Sequence, residues 1–223
     1  MKGDIIVVEE HHRNAAQTIV QQCIDKIKTH PARYAMTVAG ESGSGKSETA
    51  RAIADELQTY GVKSMVLGQD DYFHLPPKLN DSKRRQDSAW LGPHLEVDIA
   101  TLQENIDHAL QDVPKLVKPL IDYDETVAGK EEVDLSGIKV IIAEGTYTSL
   151  LKRIDTKIFI ARNRLDTLEH RKKRNRGDEA HDPFIEEILK TEHKIIAGHI
   201  YLSDFVITKE YDVEPRKISN IGP

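Results

Sequence analysis

The sequence predicts an α/β domain built on a parallel sheet, and three observations carry that expectation. Short apolar runs alternate with amphipathic helical stretches along most of the chain. A glycine-rich turn joins one such run, YAMTVAG, to the helical stretch after it. The length, 223 residues, suits one domain with room for appendages, enough to bury roughly 70% of its unfolded surface. Hydrophobic residues make up 39% and charged residues 30%, the profile of a globular chain. With 31 basic and 37 acidic residues the net charge is −6, which argues against a nucleic-acid partner. The single cysteine, Cys23, excludes an intrachain disulfide and any multi-cysteine metal site. No apolar run approaches the ~18 residues of a membrane span. The opening MKGDIIVVEE turns acidic too early for a secretory signal, so a cytoplasmic protein is expected.

Residues 4–8 read as a short strand. From about His12 to Thr29, Ala16, Ile19, Val20, Cys23, Ile24 and Ile27 recur at helical spacing until Pro31. Cys23 lies on that stripe and reads as a packed thiol, while His11 and His12 read as solvated surface. The run 34–40 is a strand, Glu48 to Tyr60 a helix closed by Gly61, and 63–68 a second buried strand. Residues 74–94, with Pro76, Pro77, a Lys-Arg-Arg run and Trp90, read as a long functional loop. An amphipathic helix follows over 97–110, then a hairpin turning near Gly129. The segments 138–145 and 156–161 are strands, the first apolar almost throughout. Helices are expected over about 165–176 and 183–201, the second capped by Asp182 with Pro183 in its first turn. A strand at 203–208 closes the sheet, and a polar, loosely attached tail follows.

The chemistry centres on Gly40-Glu41-Ser42-Gly43-Ser44-Gly45-Lys46-Ser47, a G-x-x-x-x-G-K-[ST] match lying between a strand and a helix. Its glycines let successive backbone N–H groups converge on phosphate oxygens at a helix N-terminus. Lys46 can reach the β- and γ-phosphates, the Ser47 hydroxyl can ligate Mg²⁺, and Glu48 continues the nucleotide-binding segment. A phosphate cradle alone does not separate a kinase from an ATPase. The next strand ends in Gln69-Asp70-Asp71-Tyr72-Phe73, at the edge where a parallel sheet binds ligands. An aspartate there can accept a proton from an attacking hydroxyl or hold the metal's water shell; a turn-capping role is the alternative. Glu144, at the end of another strand, can hold Mg²⁺ through water. Residues 162–176 set seven basic side chains against Asp166 and Glu169, either a solvated helix end or an arginine lid acting through Arg171 and Arg174.

In their order, GESGSGKS, QDDYF, KPLIDYD, VIIAEGTY and the arginine-rich segment resemble the uridine kinase and phosphoribulokinase family of P-loop kinases over about residues 34–208. The resemblance implies a three-layer P-loop kinase fold with a five-stranded parallel sheet, a small hairpin insertion and an arginine-rich lid. It implies ATP and Mg²⁺, Asp70 as catalytic base and Glu144 as a metal-associated carboxylate. Asp122 would match the family's Tyr-Asp-aromatic segment, with Ile121 in place of the tyrosine. Departures fall in the acceptor half, where Leu91-Gly92-Pro93-His94 lacks the aspartate of a family Phe-Asp-His-Pro stretch. The expected division is a strand–helix appendage over 1–30, a kinase domain over 31–210 and a tail over 211–223.

The function that follows is γ-phosphoryl transfer from ATP to a hydroxyl of a small metabolite. A uridine- or cytidine-type nucleoside is the first candidate, with another sugar, sugar phosphate or hydroxy acid as the alternative. A non-catalytic ATP switch is a further one. Tyr72, Phe73, Arg84, His94 and Asp122 are the expected acceptor contacts. An anionic acceptor is favoured if Lys83, Arg84 and Arg85 face the pocket. The expected partners are ATP and the acceptor, without nucleic acid or membrane, with a homo-oligomer left open.

Overall fold

The strand β1 (Tyr34–Gly40) is buried at every position, so helices must cover both faces of the sheet around it. The structure, a computed structural model, describes residues 6–121, 128–167 and 182–216. The other strands among them are β2 (Ser64–Gly68), β3 (Lys115–Ile121), β4 (Ala128–Asp134), β5 (Val140–Glu144), β6 (Thr156–Ile160), β7 (Phe205–Ile207) and β8 (Val213–Pro215). The main sheet runs β2-β5-β1-β6-β7-β8. Its first five strands are parallel, as expected, and β8 adds a sixth, antiparallel to β7. The hairpin β3–β4 forms a separate two-stranded sheet, which agrees with the reading from the sequence.

Alternation along β1 sorts its side chains into two cores. Tyr34, Met36 and Val38 join the helices α1 (Glu10–Thr29) and α2 (Lys46–Thr59). Ala35 and Ala39 face the opposite layer with Leu102 and Ile106 of α4 (Ile99–Ala109) and Ile196 of α5 (Pro183–Ile196). The result is three layers, helix–sheet–helix.

Four expectations need correction. Residues 6–9 carry no regular structure, so the strand over 4–8 is absent from its described part. The following helix is no appendage: Ala16, Ile19, Val20 and Ile27 are fully buried in the first core. His12 is not solvated but buried, because its ring closes the helix start by accepting a hydrogen bond from the Glu9 N–H at 3.1 Å. Within the segment read as loop, Pro77–Gln86 form a helix, α3, with Pro77 in its first turn. Asn80 is its one buried residue, so no apolar stripe announced it.

The tail is attached through Tyr211. Its hydroxyl donates to the Ser44 carbonyl at 2.7 Å and lies 3.2 Å from His12 Nε2. Since the Glu9 N–H occupies His12 Nδ1, the ring's proton sits on Nε2 and points at Tyr211. Removing that hydroxyl leaves a buried carbonyl without its donor. Tyr211→Phe should therefore cost about 1–2 kcal/mol in urea denaturation, whereas Tyr201→Phe, at a side chain 75% exposed, should cost almost nothing. Equal midpoints for the two variants would show that the Tyr211 contact is incidental.

Candidate active site

The strands β1, β2 and β5 end together, with Val38 beside Glu144 and Gly68 across from Glu144. The Gly40–Ser47 loop leaves this edge and enters α2. Gly45 has φ +97°, and a Cβ there would fall 2.0 Å from the Tyr211 hydroxyl and 3.0 Å from His12 Nε2. Only glycine fits that position. The Lys46 ammonium donates to the Glu41 carbonyl at 2.9 Å, holding the loop closed. At Gly145 a Cβ would lie 2.2 Å from the Gln69 Cβ, and Gln69 accepts from the Tyr147 N–H at 2.7 Å. That contact fixes the turn after β2 against the turn after β5.

Between these turns lies a cleft open to solvent, about 620 Å³ with the solvent at its mouth included. Ser42, Gly43, Lys46, Ser47, Asp70 and Glu144 all line it. The Ser47 hydroxyl donates to a Glu144 carboxylate oxygen at 3.2 Å. Burial and the neighbouring Asp70 charge push the Glu144 carboxyl up to about 7, against the opposing pull of Lys46 and Ser47. A hydroxyl beside hard carboxylate oxygens suits Mg²⁺, which keeps most of its waters and needs few protein ligands. Among the described residues no group of three or more His, Cys, Asp or Glu side chains is arranged for a metal.

The neighbouring aspartates are separated clearly. Asp70 lines the cleft. Asp71 turns inward, accepting from the Lys118 ammonium at 2.8 Å and from the Ile121 N–H at 3.1 Å. It anchors the hairpin beneath the site.

Other expected residues divide in the same way. Phe73 and Arg84 reach the cleft. Tyr72 does not: it is 1% exposed, and its hydroxyl donates to Asn105 on α4. His94 is exposed and lies away from the cleft lining, since the turn at Gly92 directs Glu96 inward instead. Glu48 is buried in the first turn of α2, outside the lining. Glu41, also buried, accepts from the Arg164 N–H at 2.7 Å and contacts His193, so it braces the loop against α5. Asp122, Arg171 and Arg174 lie outside the described residues, as does the arginine-rich segment expected to form a lid.

Two acids were missed. Glu96, 1% exposed, accepts from Arg84 Nε at 2.8 Å, from the Tyr147 hydroxyl at 3.1 Å and from the Gly92 N–H at 3.2 Å. Glu192 accepts from the N–H and hydroxyl of Ser42 at 2.7 and 2.8 Å, so a carboxylate rests on the phosphate loop. A signal for it existed: Leu189, Glu192 and Ile196 form one buried helical stripe, and an acid inside an apolar stripe is out of pattern. Burial raises the Glu192 carboxyl above the ordinary carboxylate range, although Lys46 and Ser42 pull the other way.

With this geometry in view, the comparisons fall into place. The family model described as Zeta toxin matches residues 9–113. The bifunctional α-galactosidase/sucrose kinase of Mediterraneibacter gnavus is 28% identical over 173 residues, 73% of this chain. The chain spans 18% of that relative's length. A uridine kinase of Ureaplasma urealyticum is 27% identical over 195 residues, 73% of this chain and 91% of the relative. The resemblance to the uridine kinase-like P-loop kinases holds. In fold, the chain matches the D-glycerate 3-kinase of Cryptococcus neoformans with a TM-score of 0.62 at 14% identity, covering 93% of this chain and 100% of that one. Among the described residues, no helix is long and apolar enough to cross a membrane.

Two outcomes follow from the acids. Asp71→Asn leaves the buried Lys118 with only the half-exposed Glu131, at 3.1 Å, as counter-charge and should cost about 1–3 kcal/mol in chemical denaturation. The remaining folded fraction should keep its ATP affinity; a loss of nucleotide binding at unchanged stability would place Asp71 in the site. Glu192 and Glu144 both hold raised carboxyls, so their stabilising effect is complete at low pH. It is lost as pH rises from about 4.5 through the raised values, near 7 for Glu144. Glu192→Gln should flatten this decline in urea midpoints of the nucleotide-free protein, leaving the share due to Glu144. An unchanged pH slope would show that the Ser42 contacts fully offset the burial of Glu192.

Proposed function

We propose that this protein transfers the γ-phosphoryl group of ATP to a hydroxyl of a small metabolite. One observation carries the reading: Lys46, Ser47, Asp70 and Glu144 line a single cleft at the carboxyl edge of the parallel sheet. Phosphoryl transfer needs little covalent chemistry from the protein; positioning and charge stabilisation supply the rate. The loop 40–47 would cradle the phosphates through backbone N–H groups, with Lys46 on the β/γ side. Ser47, Glu144 and Asp70 would hold Mg²⁺, which would neutralise phosphate charge. Asp70 would accept the proton of the acceptor hydroxyl as its oxygen bonds to the γ-phosphorus. The bond from that phosphorus to the β–γ bridging oxygen breaks, and ADP leaves.

A pyrimidine nucleoside such as uridine or cytidine remains the first candidate acceptor, supported by uridine kinases at 27% and 30% identity. The sucrose kinase relative supports a sugar. Asp70 at the cleft argues against a pure ATP switch, which has no use for a base there. A cytoplasmic location accords with ATP as donor.

Lys46→Ala removes the cation nearest the developing phosphoryl charge and should lower turnover ~10²-fold or more. Asp70→Asn should lower turnover ~10²–10⁴-fold while ATP affinity stays nearly constant. ADP release, coupled to NADH oxidation and followed with an acceptor panel, reads both. Near-wild-type rates in either variant would remove that residue from the mechanism.

A further inference from the structure

The acceptor side of the cleft has a charge pattern that the phosphate loop does not explain. Three basic residues, Lys83, Arg84 and Arg85, stand together on α3, yet only Arg84 reaches the cleft. Lys83 lies over the Trp90 ring and pairs with Asp87 at 3.8 Å. Arg85 is held by Asp81 and Asp182 at 2.8 and 2.6 Å, with its guanidinium over Phe184. Neither can meet a ligand without giving up those partners.

Arg84 is neutralised in place. Its Nε and Nη2 both bond one oxygen of Glu96, which also receives Asn80 Nδ2 at 3.3 Å. The other Glu96 oxygen takes the Tyr147 hydroxyl and the Gly92 N–H. Five donors saturate a carboxylate with about four lone-pair sites, leaving Glu96 nothing to offer a ligand. It is a positioning residue: it cancels the Arg84 charge and fixes the guanidinium, whose Cζ lies 6.0 Å from the centre of the Phe73 ring. The Arg84 N–H groups not bound to Glu96 remain as donors on the cleft side.

The surrounding charge is negative. Among the described residues lining the cleft, Lys46 and Arg84 face Asp70 and Glu96, together with Glu144 and Glu192, whose carboxyls burial raises. Nucleotide phosphates add further negative charge, more than one Mg²⁺ offsets. A carboxylate or phosphate on the acceptor would enter a negative field in which Arg84 is already paired with Glu96. A hydroxyl or carbonyl oxygen suffers no such repulsion and can accept from Arg84, while an apolar face packs on Phe73.

We infer that the acceptor is an uncharged polyhydroxylated molecule, a sugar or the sugar of a nucleoside, held by the Glu96-neutralised Arg84 and by Phe73. The inference rests on the kinase reading above and narrows it, setting aside hydroxy acids and sugar phosphates.

Matched pairs differing only in charge test it: glycerol with glycerate, fructose with fructose 6-phosphate, and uridine with UMP. ADP release with purified full-length protein should show at least tenfold higher kcat/KM for the uncharged member of every pair turned over. The fructose and uridine arms separate sugar from nucleoside. Arg84→Gln should raise the KM of the best uncharged acceptor at least tenfold with kcat little changed. Arg84→Lys, which keeps the charge on Glu96, should recover part of that loss. Protection by Mg·ATP against thermal unfolding, retained in both variants, shows that they fold. Preference for a charged member overturns this inference and leaves the kinase reading intact. No acceptor-stimulated ADP release across the panel overturns the kinase reading, and this one with it. A fall in kcat and ATP protection together in Arg84→Gln would make Arg84 a structural residue and overturn its role.

Discussion

The phosphate loop keeps its shape because the space behind it is already filled. Gly45 adopts a left-handed backbone, and the Tyr211 hydroxyl occupies the volume a side chain there would need. Tyr211 in turn is held by His12, whose ring is set by the first turn of α1. Two segments more than 190 residues apart thus close on the back of one turn. The front of the loop faces the cleft, where Glu192 takes the Ser42 N–H. Both ends of the described chain therefore serve the site, although neither touches the cleft.

The front of the loop poses the opposite problem. Asp70, Glu144 and Glu192 converge there, and burial, only partly offset by Lys46 and the loop serines, drives two of those carboxyls upward. Lys46 alone cannot balance them. A site in this condition binds a cation together with its polyanion more readily than the polyanion by itself, because the cation relieves repulsion on both sides. Glu192 adds a competition: its two hydrogen bonds to Ser42 use a loop N–H that a phosphate oxygen would otherwise receive. Since Glu192 and His193 are neighbours on α5, any movement of that carboxylate is transmitted to the contact between His193 and Glu41.

Legibility in the sequence followed periodicity and backbone demand. The strand runs at 34–40, 138–145 and 156–161 were apolar enough to stand out, and the loop's glycines state a backbone requirement directly. α3 was invisible, because a helix burying only Asn80 has no stripe to read. His12 reads as solvated because it and the adjacent His11 point apart on a helix, and Tyr211 reads as part of a polar tail; the two meet in a contact spanning 199 residues. Nothing local encodes such a contact. Glu96 likewise looks like one more acid before a helix until the fold brings five donors to it.

Adjacent residues with the same side chain show how far the backbone decides role. Gln69–Tyr72 form a 3₁₀ turn, in which successive side chains leave in directions about 120° apart. Asp71 is thereby sent under the hairpin to Lys118, and Tyr72 toward Asn105. Asp70 is left facing the cleft. Gln69 supplies the register, since its side chain is pinned by the Tyr147 N–H and pressed against Gly145. A larger residue at 145 would push this turn away and swing both aspartates together. The choice of which carboxylate faces the cleft is therefore made at a glycine on a different strand's end.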